Sequence, residues 1–200
     1  MKRPWLIFSL VLVACCSWIS PTLAESPTEY TRGILDRVMA IQSDPALAGP
    51  SHEAERGRRI HQIVATSFDF PMMAHDSLGP EYGRISGGQR QEFIDTFSYL
   101  FQDSYTRMVL KFLKKENITY GHQSQEGDKG RVDTTIVRPN ESIPVSYRMH
   151  RAHGGWLLYD VIVDGVSILE NYRSQFSQVV RTKGFSFLLG RMMAQRQAFR

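Results

Sequence analysis

The spacing of apolar residues changes twice along the chain and divides it into three blocks. Between residues 28 and 112 apolar side chains recur every three to four positions, as on one face of a helix. Between residues 117 and 164 they alternate with polar side chains, as in half-buried strands. After Gly165 the helical spacing returns. This order predicts helices, then a sheet, then two further helices at 167–182 and 185–200.

Four helices are predicted in the first block. They cover residues 28–42, residues 51–64, a short stretch opened by Pro71 and closed by Gly79, and a long segment that begins after Ser86. Ser86 suits an N-cap because Gln89, three residues on, can complete a capping box. One stripe of the long helix carries Phe93, Phe97, Leu100, Phe101, Tyr105, Met108 and Phe112. At roughly 25 residues, this helix would be about 37 Å long.

Four strands are predicted in the second block. They cover residues 117–125, 131–138, 142–152 and 155–164, and the turns between them are rich in Gly, Pro and Asn. In the third strand Ile143, Val145, Tyr147 and Met149 face one way, and polar residues face the other. The predicted fold is therefore α+β, a four-stranded antiparallel sheet with helices packed on one face.

The fourth predicted strand is apolar on both of its faces. One register carries Trp156, Leu158 and Ile162, and the other carries Leu157, Tyr159, Val161 and Val163. A strand with one wet face should alternate apolar and polar residues. Two interpretations remain open: helices cover both sides of this strand, or the strand lines a cavity.

The first 24 residues have the pattern of a secretory signal peptide. Lys2 and Arg3 precede an apolar run over residues 5–19, and Ala24 stands before a polar start. The run is shorter than the ~20 apolar residues that a membrane-spanning helix needs. We therefore expect residues 25–200 to form one exported domain. A second pattern, Leu12-Val13-Ala14-Cys15, resembles a lipobox, in which Cys15 would carry a lipid anchor.

Composition limits the chemistry of this exported domain. Both cysteines, Cys15 and Cys16, lie in the leader, so cleavage after Ala24 leaves no disulfide, no thiolate nucleophile and no Cys metal ligand. Loss of Lys2 and Arg3 lowers the basic count from 24 to 22 against 20 acidic residues, and the net charge from +4 to +2. Such a mild charge says little about partners.

The distribution of charge is more informative. The thirty residues after Glu170 contain no acid and six bases. These are Arg173, Arg181, Lys183, Arg191, Arg196 and Arg200. The segment is either a solvated helical surface or a surface that attracts anionic lipid or an acidic protein partner. Export argues against a nucleic-acid partner.

Candidate catalytic and metal-binding residues do not form a convincing constellation. Ser167 lacks the second glycine of a nucleophile elbow and suits an N-cap of the following helix. His75 and Asp76 are adjacent in a predicted helix, which points them about 100° apart and disfavours a base and orienter pair. His150 and His153 flank a turn without the carboxylates of a zinc site, so we interpret them as loose surface residues. We predict no enzyme, metal site or cofactor.

Asp160 stands out as a carboxylate in an apolar strand. A buried carboxylate must be paired or hydrogen-bonded, so we expect a bond to Arg148 or to a helix N-terminus rather than a catalytic role. The remaining signal is the excess of aromatic and aliphatic residues. It fits an ordinary core or an interior left partly hollow for an apolar ligand.

Four segments together resemble a known family. They are QRQEFIDTFSYLFQDSY (89–105), IPVSYRMH (143–150), WLLYDVIVDGVSILENYRSQF (156–176) and VRTKGFSFLL (180–189). In this order and spacing they are similar to the MlaC family, also called toluene-tolerance or Ttg2-type auxiliary proteins. The likeness covers nearly all of the exported domain.

The resemblance implies a periplasmic lipid carrier rather than an enzyme. It implies a soluble monomer that takes the acyl chains of a glycerophospholipid into a pocket between sheet and helices. The implied partners are an outer-membrane lipoprotein complex and an inner-membrane ABC transporter with an MCE-domain protein. Some relatives are associated with hopanoid clusters, which leaves the lipid itself open. A non-carrying adaptor with a solid core is the alternative function, and a small hydrolase or isomerase is a third.

Facing direction predicts the residues that would contact the acyl chains. They are Phe93, Phe97, Leu100 and Tyr105 on the long helix, with Val145, Tyr147, Met149, Tyr159, Val161 and Val166 on the sheet side. Arg181 and Lys183, in the basic C-terminal segment, are predicted to dock to an acidic transporter partner or to anionic lipid head groups.

Overall fold

The structure, a computed structural model, describes residues 25–198 and contains six α-helices and a five-stranded sheet within that range. The helices are α1 Pro27–Ser43, α2 Glu53–Ser67, α3 Phe70–Leu78, α4 Gly87–Phe112, α5 Ile168–Lys183 and α6 Phe185–Ala198. The strands are β1 Asn117–Glu126, β2 Lys129–Arg138, β3 Glu141–Ala152, β4 Gly155–Val163 and β5 Val166–Ser167. The predicted signal peptide and lipobox lie outside the described residues.

Local capping explains where the helices begin. Ser86 caps α4 as predicted, since its Oγ accepts from the Gln89 backbone N–H at 3.3 Å and the Gln89 side chain accepts from the Ser86 N–H. Ser26 forms a similar box with Glu29 at the start of α1. Asp69 caps α3, where Pro71 occupies the first turn. Each cap satisfies backbone donors that the helix leaves unpaired.

The sheet is an antiparallel meander in the order β1-β2-β3-β4-β5. The prediction of four strands was wrong by one, because a turn with positive φ at Asp164 and Gly165 folds Val166 and Ser167 back onto β4. A two-residue strand is too short to show any alternation in the sequence. Ser167 still caps α5, as predicted, by accepting from the Glu170 N–H at 3.0 Å.

A β-bulge explains why β4 looked apolar on both faces. Arg148 of β3 pairs with Asp160, but the next residue, Met149, pairs with Leu158, so Tyr159 is the extra residue. The bulge shifts the alternation by one position. As a result Leu158 before it and Val161 after it both lie buried on the helix-covered face.

The helices cover the face of the sheet that carries Val132, Val145 and Met149. Helix α1 packs against β1 and β2, while α2, α3 and α5 contact β4. The approach of α1 is close at Gly130, where an added Cβ would lie 2.9 Å from Pro27 Cγ. Glycine therefore lets the start of α1 rest directly on the sheet.

Helix α4 runs through the centre of this helical layer. Its row of aromatic rings, Phe93, Phe97, Phe101 and Tyr105, has successive centroids 6.1, 6.0 and 5.5 Å apart. Phe93 and Phe97 are almost completely buried. The row holds α5 and α6 on one side, while the C-terminal part of α4 faces the sheet across a cavity.

Candidate functional site

An apolar cavity of about 240 Å³ lies between the sheet and helices α1, α2 and α4, and we call it the sheet-side pocket. Its helical wall comprises Ile34, Leu35, Val38, Ile63, Val64, Ser67, Phe68, Tyr105, Met108, Val109, Phe112 and Leu113. Its sheet wall comprises Ile136, Arg138, Ile143, Val145, Tyr147, Leu158, Val161 and Val163. Aliphatic side chains dominate both walls, so the pocket suits a ligand without polar groups along its length.

The polar groups of the sheet-side pocket are already engaged or neutral. Ser67 donates to the Ile63 carbonyl at 2.7 Å. Burial raises the pKa of Tyr105 and of Tyr147 well above the ordinary value, so both phenols stay neutral in the physiological range. The guanidinium of Arg138 donates to Glu141 at 3.1 Å and lies 3.4 Å from Glu116. Arg138 is thus a paired charge where the pocket adjoins a polar surface cleft.

A second cavity, of about 530 Å³, lies between α4, α5 and α6, and we call it the helix cleft. Its apolar lining is Phe97, Leu100, Phe101, Tyr105, Met108, Ile168, Tyr172, Phe176, Val179, Leu188 and Met192. Its polar lining is Ser104, Asn171, Gln175, Arg191 and Gln195. The aromatic members contact one another, with Phe97 and Tyr172 centroids 5.3 Å apart. The cleft therefore combines a packed aromatic floor with a rim of mostly exposed polar side chains.

Six of the ten predicted lipid-contacting residues line one of these two cavities. Val145, Tyr147 and Val161 line the sheet-side pocket. Phe97 and Leu100 line the helix cleft. Tyr105 lines both. The structure thus divides between two cavities the residues that the sequence predicted to line a single pocket.

The other four predicted residues lie elsewhere. Phe93 and Met149 are buried among other side chains and line neither cavity. Tyr159, the bulged residue, is half-buried, with its ring 6.1 Å from that of His150. Val166 is 62% exposed at the β4–β5 turn. Arg181 and Lys183, the predicted partner contacts, are exposed in the last turn of α5.

The contribution of α1 and α2 to the sheet-side pocket was not predicted from the sequence. Ile34, Val38 and Ile63 lie on the apolar stripes of these two helices and were visible as core candidates. Helical spacing identified their buried face. Helical spacing could not show that this face borders a cavity. Whether a cavity forms depends on how elements far apart in the sequence pack against one another.

The interpretations of His75 and His150 need correction, whereas His153 is exposed as expected. His75 Nδ1 lies 2.7 Å from Asp76 Oδ1, although adjacent helical positions were expected to keep the two apart. Both side chains lie near the C-terminal end of α3, where they are exposed enough to turn toward each other. His150 is not a loose surface residue either, since its Nε2 lies 2.9 Å from Asp69 Oδ2 and both side chains are largely buried. That pair links β3 to the N-terminus of α3, a structural role.

Asp160 behaves as predicted for a structural carboxylate. It is 1% exposed and accepts from Ser167 Oγ at 2.8 Å and from the Leu169 N–H at 3.1 Å. Arg148 lies 3.5 Å away on the neighbouring strand. These bonds tie the N-terminus of α5 to the sheet and give the buried charge its partners. Within residues 25–198, no cluster of His, Cys, Asp and Glu is placed to hold a metal ion.

The fold and cavities define an α+β protein whose helical layer and sheet enclose an apolar pocket. No helix in the described part of the chain is long and apolar enough to cross a membrane. The chain belongs to the MlaC family, since the profile of the MlaC protein family matches residues 32–194. This confirms the resemblance of the four sequence segments.

Two relatives and one solved structure are similar to this chain. The intermembrane phospholipid transport system binding protein MlaC of Haemophilus influenzae is 25% identical over 121 residues, which cover 58% of this chain and 56% of that protein. The toluene tolerance protein ttg2D of Pseudomonas putida is 25% identical over 93 residues, covering 42% of this chain and 43% of that protein. The matches thus span about half the length of each relative.

The solved structure is a phospholipid-binding protein from Ralstonia solanacearum in complex with a phospholipid. It superposes with a TM-score of 0.73 at 20% identity, covering 87% of this chain and 98% of the other. This likeness supports the fold described above.

Proposed function

We propose that this protein is a periplasmic carrier that binds the acyl chains of a glycerophospholipid in the sheet-side pocket. The observation that carries the proposal is the pocket itself, an apolar cavity inside a fold whose phospholipid-bound counterpart has been solved. The name of the Haemophilus influenzae relative, a phospholipid transport binding protein, supports the same function. The pocket's neutral phenols and aliphatic walls suit hydrocarbon rather than a charged substrate.

A carrier is needed because phospholipids do not cross water unaided. At ~0.8 kcal/mol per CH₂, two chains of about fifteen methylenes would cost on the order of 24 kcal/mol to expose. A protein that replaces most of this lost burial with apolar wall makes the crossing feasible. The protein must not bind so tightly that release fails. Aliphatic walls allow both burial and release, since they contact the acyl chains of a lipid without holding its head group.

We further propose that the carrier moves lipid between the outer and inner membranes and so helps to maintain outer-membrane lipid asymmetry. It would meet an outer-membrane lipoprotein complex on one side and an inner-membrane MCE-domain ABC transporter on the other. The predicted signal peptide over residues 1–24 supports export to the compartment between them. A non-carrying adaptor remains the alternative function, and the two cavities in the interior favour the carrier over it.

Vesicle transfer tests the carrier function. The protein, purified from the periplasm, is incubated with donor vesicles that contain labelled phospholipid. Acceptor vesicles are held behind a dialysis membrane that protein passes and vesicles do not, and a sample without protein measures unassisted transfer. The carrier proposal predicts label in the acceptor vesicles in proportion to protein concentration. Absence of both transfer and protein-bound label would contradict it. A hopanoid extracted from the protein in place of phospholipid would change the cargo but keep the carrier.

We propose that Arg181 and Lys183 form part of the surface that meets an acidic partner. Both are exposed, and the thirty residues after Glu170 contain no acid to neutralise them. The double variant Arg181→Glu/Lys183→Glu should weaken binding to the transporter, most strongly at low salt, because exposed charges are screened as salt rises. Arg58→Glu/Arg59→Glu on α2 makes the same net change elsewhere and should bind normally. If wild type and both double variants bind with equal affinity at low salt, Arg181 and Lys183 do not belong to the binding surface.

A further inference from the structure

The helix cleft and the sheet-side pocket follow one another along α4. Residues of α4 from Phe97 to Met108 line the cleft, and those from Tyr105 to Phe112 line the pocket. Tyr105 and Met108 belong to both walls. At 1.5 Å per residue, the two cavities together extend about 24 Å along the helix layer, and these two side chains are their common partition.

The two cavities differ in how much hydrocarbon each can hold. A dry cavity of about 150 Å³ accommodates one benzene, which is about 25 Å³ per carbon. By that measure the sheet-side pocket, at about 240 Å³, holds roughly ten carbons. The helix cleft, at about 530 Å³, holds roughly twenty. Two chains of about fifteen carbons exceed the sheet-side pocket alone, whereas the helix cleft has room for one such chain.

The lining of the helix cleft suits a single hydrocarbon chain that enters from water. Phe97, Phe101, Tyr172 and Phe176 make an apolar floor, and their rings are held in place by contacts with one another. The polar rim includes one charged side chain, Arg191, which is exposed. A hydrocarbon chain can cover the floor while the rim stays hydrated.

We propose that the helix cleft is a second acyl-chain site, separated from the sheet-side pocket by Tyr105 and Met108. This inference rests on the proposed carrier function and adds where a second chain is held. The cleft lies next to the apolar pocket and shares two wall side chains with it, which favours an acyl chain over a helix of a partner protein. The chemical class of the ligand is a fatty-acyl chain of a phospholipid.

Stoichiometry with a single-chain lipid tests the proposal. The protein is delipidated, loaded with a lysophosphatidylglycerol whose acyl chain has about ten carbons, and measured by native mass spectrometry. Wild type should bind two molecules. Ser104→Trp fills the cleft from a half-buried position that does not line the pocket, so this variant should bind one. Ile136→Trp fills the pocket and should also bind one.

The control is Gln91→Trp, an exposed position on the same helix that lines neither cavity and should leave two lipids bound. If Ser104→Trp does not fold, Gln175→Trp at the exposed rim of the cleft replaces it. A single lipid on wild type, or two on a folded cleft variant, would overturn the proposal and leave the cleft for a protein partner. Failure of the carrier function would be detected separately. In that case the wild-type protein would take up no diacyl phospholipid from vesicles.

Discussion

The sheet-side pocket and the helix cleft are both apolar, but they are built in different ways. Aliphatic side chains of three helices and three strands, from Ile34 to Val163, form the pocket. Aromatic rings of α4, α5 and α6 dominate the floor of the cleft. Aliphatic walls adapt to different chains, whereas aromatic rings that pack edge-on and tilted against one another hold a preformed surface. The smaller pocket must therefore widen to accept a long chain, and the larger cleft need not.

A charge placed in the sheet-side pocket should have the largest effect on the amount of bound lipid. Val161→Arg puts a guanidinium at a position that is 2% exposed, where it has no partner. We expect at least a tenfold loss of co-purifying lipid, measured as extracted phosphate per protein, with folding checked by circular dichroism. Val166→Arg adds the same charge at a site that is 62% exposed and should keep its lipid. A folded Val161→Arg protein with normal lipid would contradict the pocket assignment.

A substitution outside both cavities should lower the stability of the protein strongly but leave the bound lipid unchanged. Asp160→Ala removes the acceptor of Ser167 Oγ and the Leu169 N–H, so the free energy of unfolding should fall by about 3–4 kcal/mol. Asp133→Ala removes a carboxylate that bonds Arg131 and Ser146 on the polar face of the sheet, where it is partly exposed, and should cost under about 1 kcal/mol. Urea unfolding measures both variants. If the amount of bound lipid falls in proportion to the stability, then bound lipid depends on folding in general and not on the shape of the pocket.

Removal of the shared partition should blur the difference between the two cavities. Tyr105 packs against Phe68 at 5.1 Å and Phe101 at 5.5 Å, so Tyr105→Leu should lower the free energy of unfolding by about 2 kcal/mol. It should also shift the bound lipids toward longer acyl chains, as read by mass spectrometry of the extract. Tyr82→Leu, whose ring contacts His75 and lines neither cavity, should leave the chain-length profile unchanged. An identical profile for Tyr105→Leu would argue against a partition.

The smallest expected effect concerns alkaline pH. Burial raises the pKa of Tyr147 above its ordinary value of 10.0, more than the nearby Thr134 hydroxyl lowers it. The unfolded chain therefore loses the phenolic proton first, and the stability that Tyr147 contributes below pH 10 declines as the pH rises beyond it. Tyr147→Phe should reduce the pH slope of the unfolding free energy above pH 10 by up to about 1.4 kcal/mol per pH unit. An unchanged slope would indicate that water reaches this phenol in the folded protein.

Local sequence signals predicted the elements well because the chain satisfies its backbone locally. The Ser86 and Ser167 caps and the hairpin turns are short-range features, and the structure confirms them. The five-stranded meander differs from the prediction through β5, whose two residues carry no periodicity. Spacing predicted the class of fold and which helix faces are buried.

Contacts between distant residues could not be predicted in the same way. The bulge at Tyr159 is invisible when both registers of a strand are apolar, and it decides that Val161 shares a face with Leu158. The bond between His150 and Asp69 joins residues 81 positions apart. The position of Tyr105 between the two cavities depends on how α5 and α6 pack against α4. Periodicity identifies a buried face but not whether it meets solid core or cavity.

The most direct test of the carrier account is native mass spectrometry of the protein purified from the periplasm without detergent, followed by organic extraction and identification of the lipid. The account predicts a stoichiometric glycerophospholipid adduct that disappears on extraction. A bare protein mass, repeated under gentle ionisation and with no phospholipid in the extract, would contradict it and favour the adaptor.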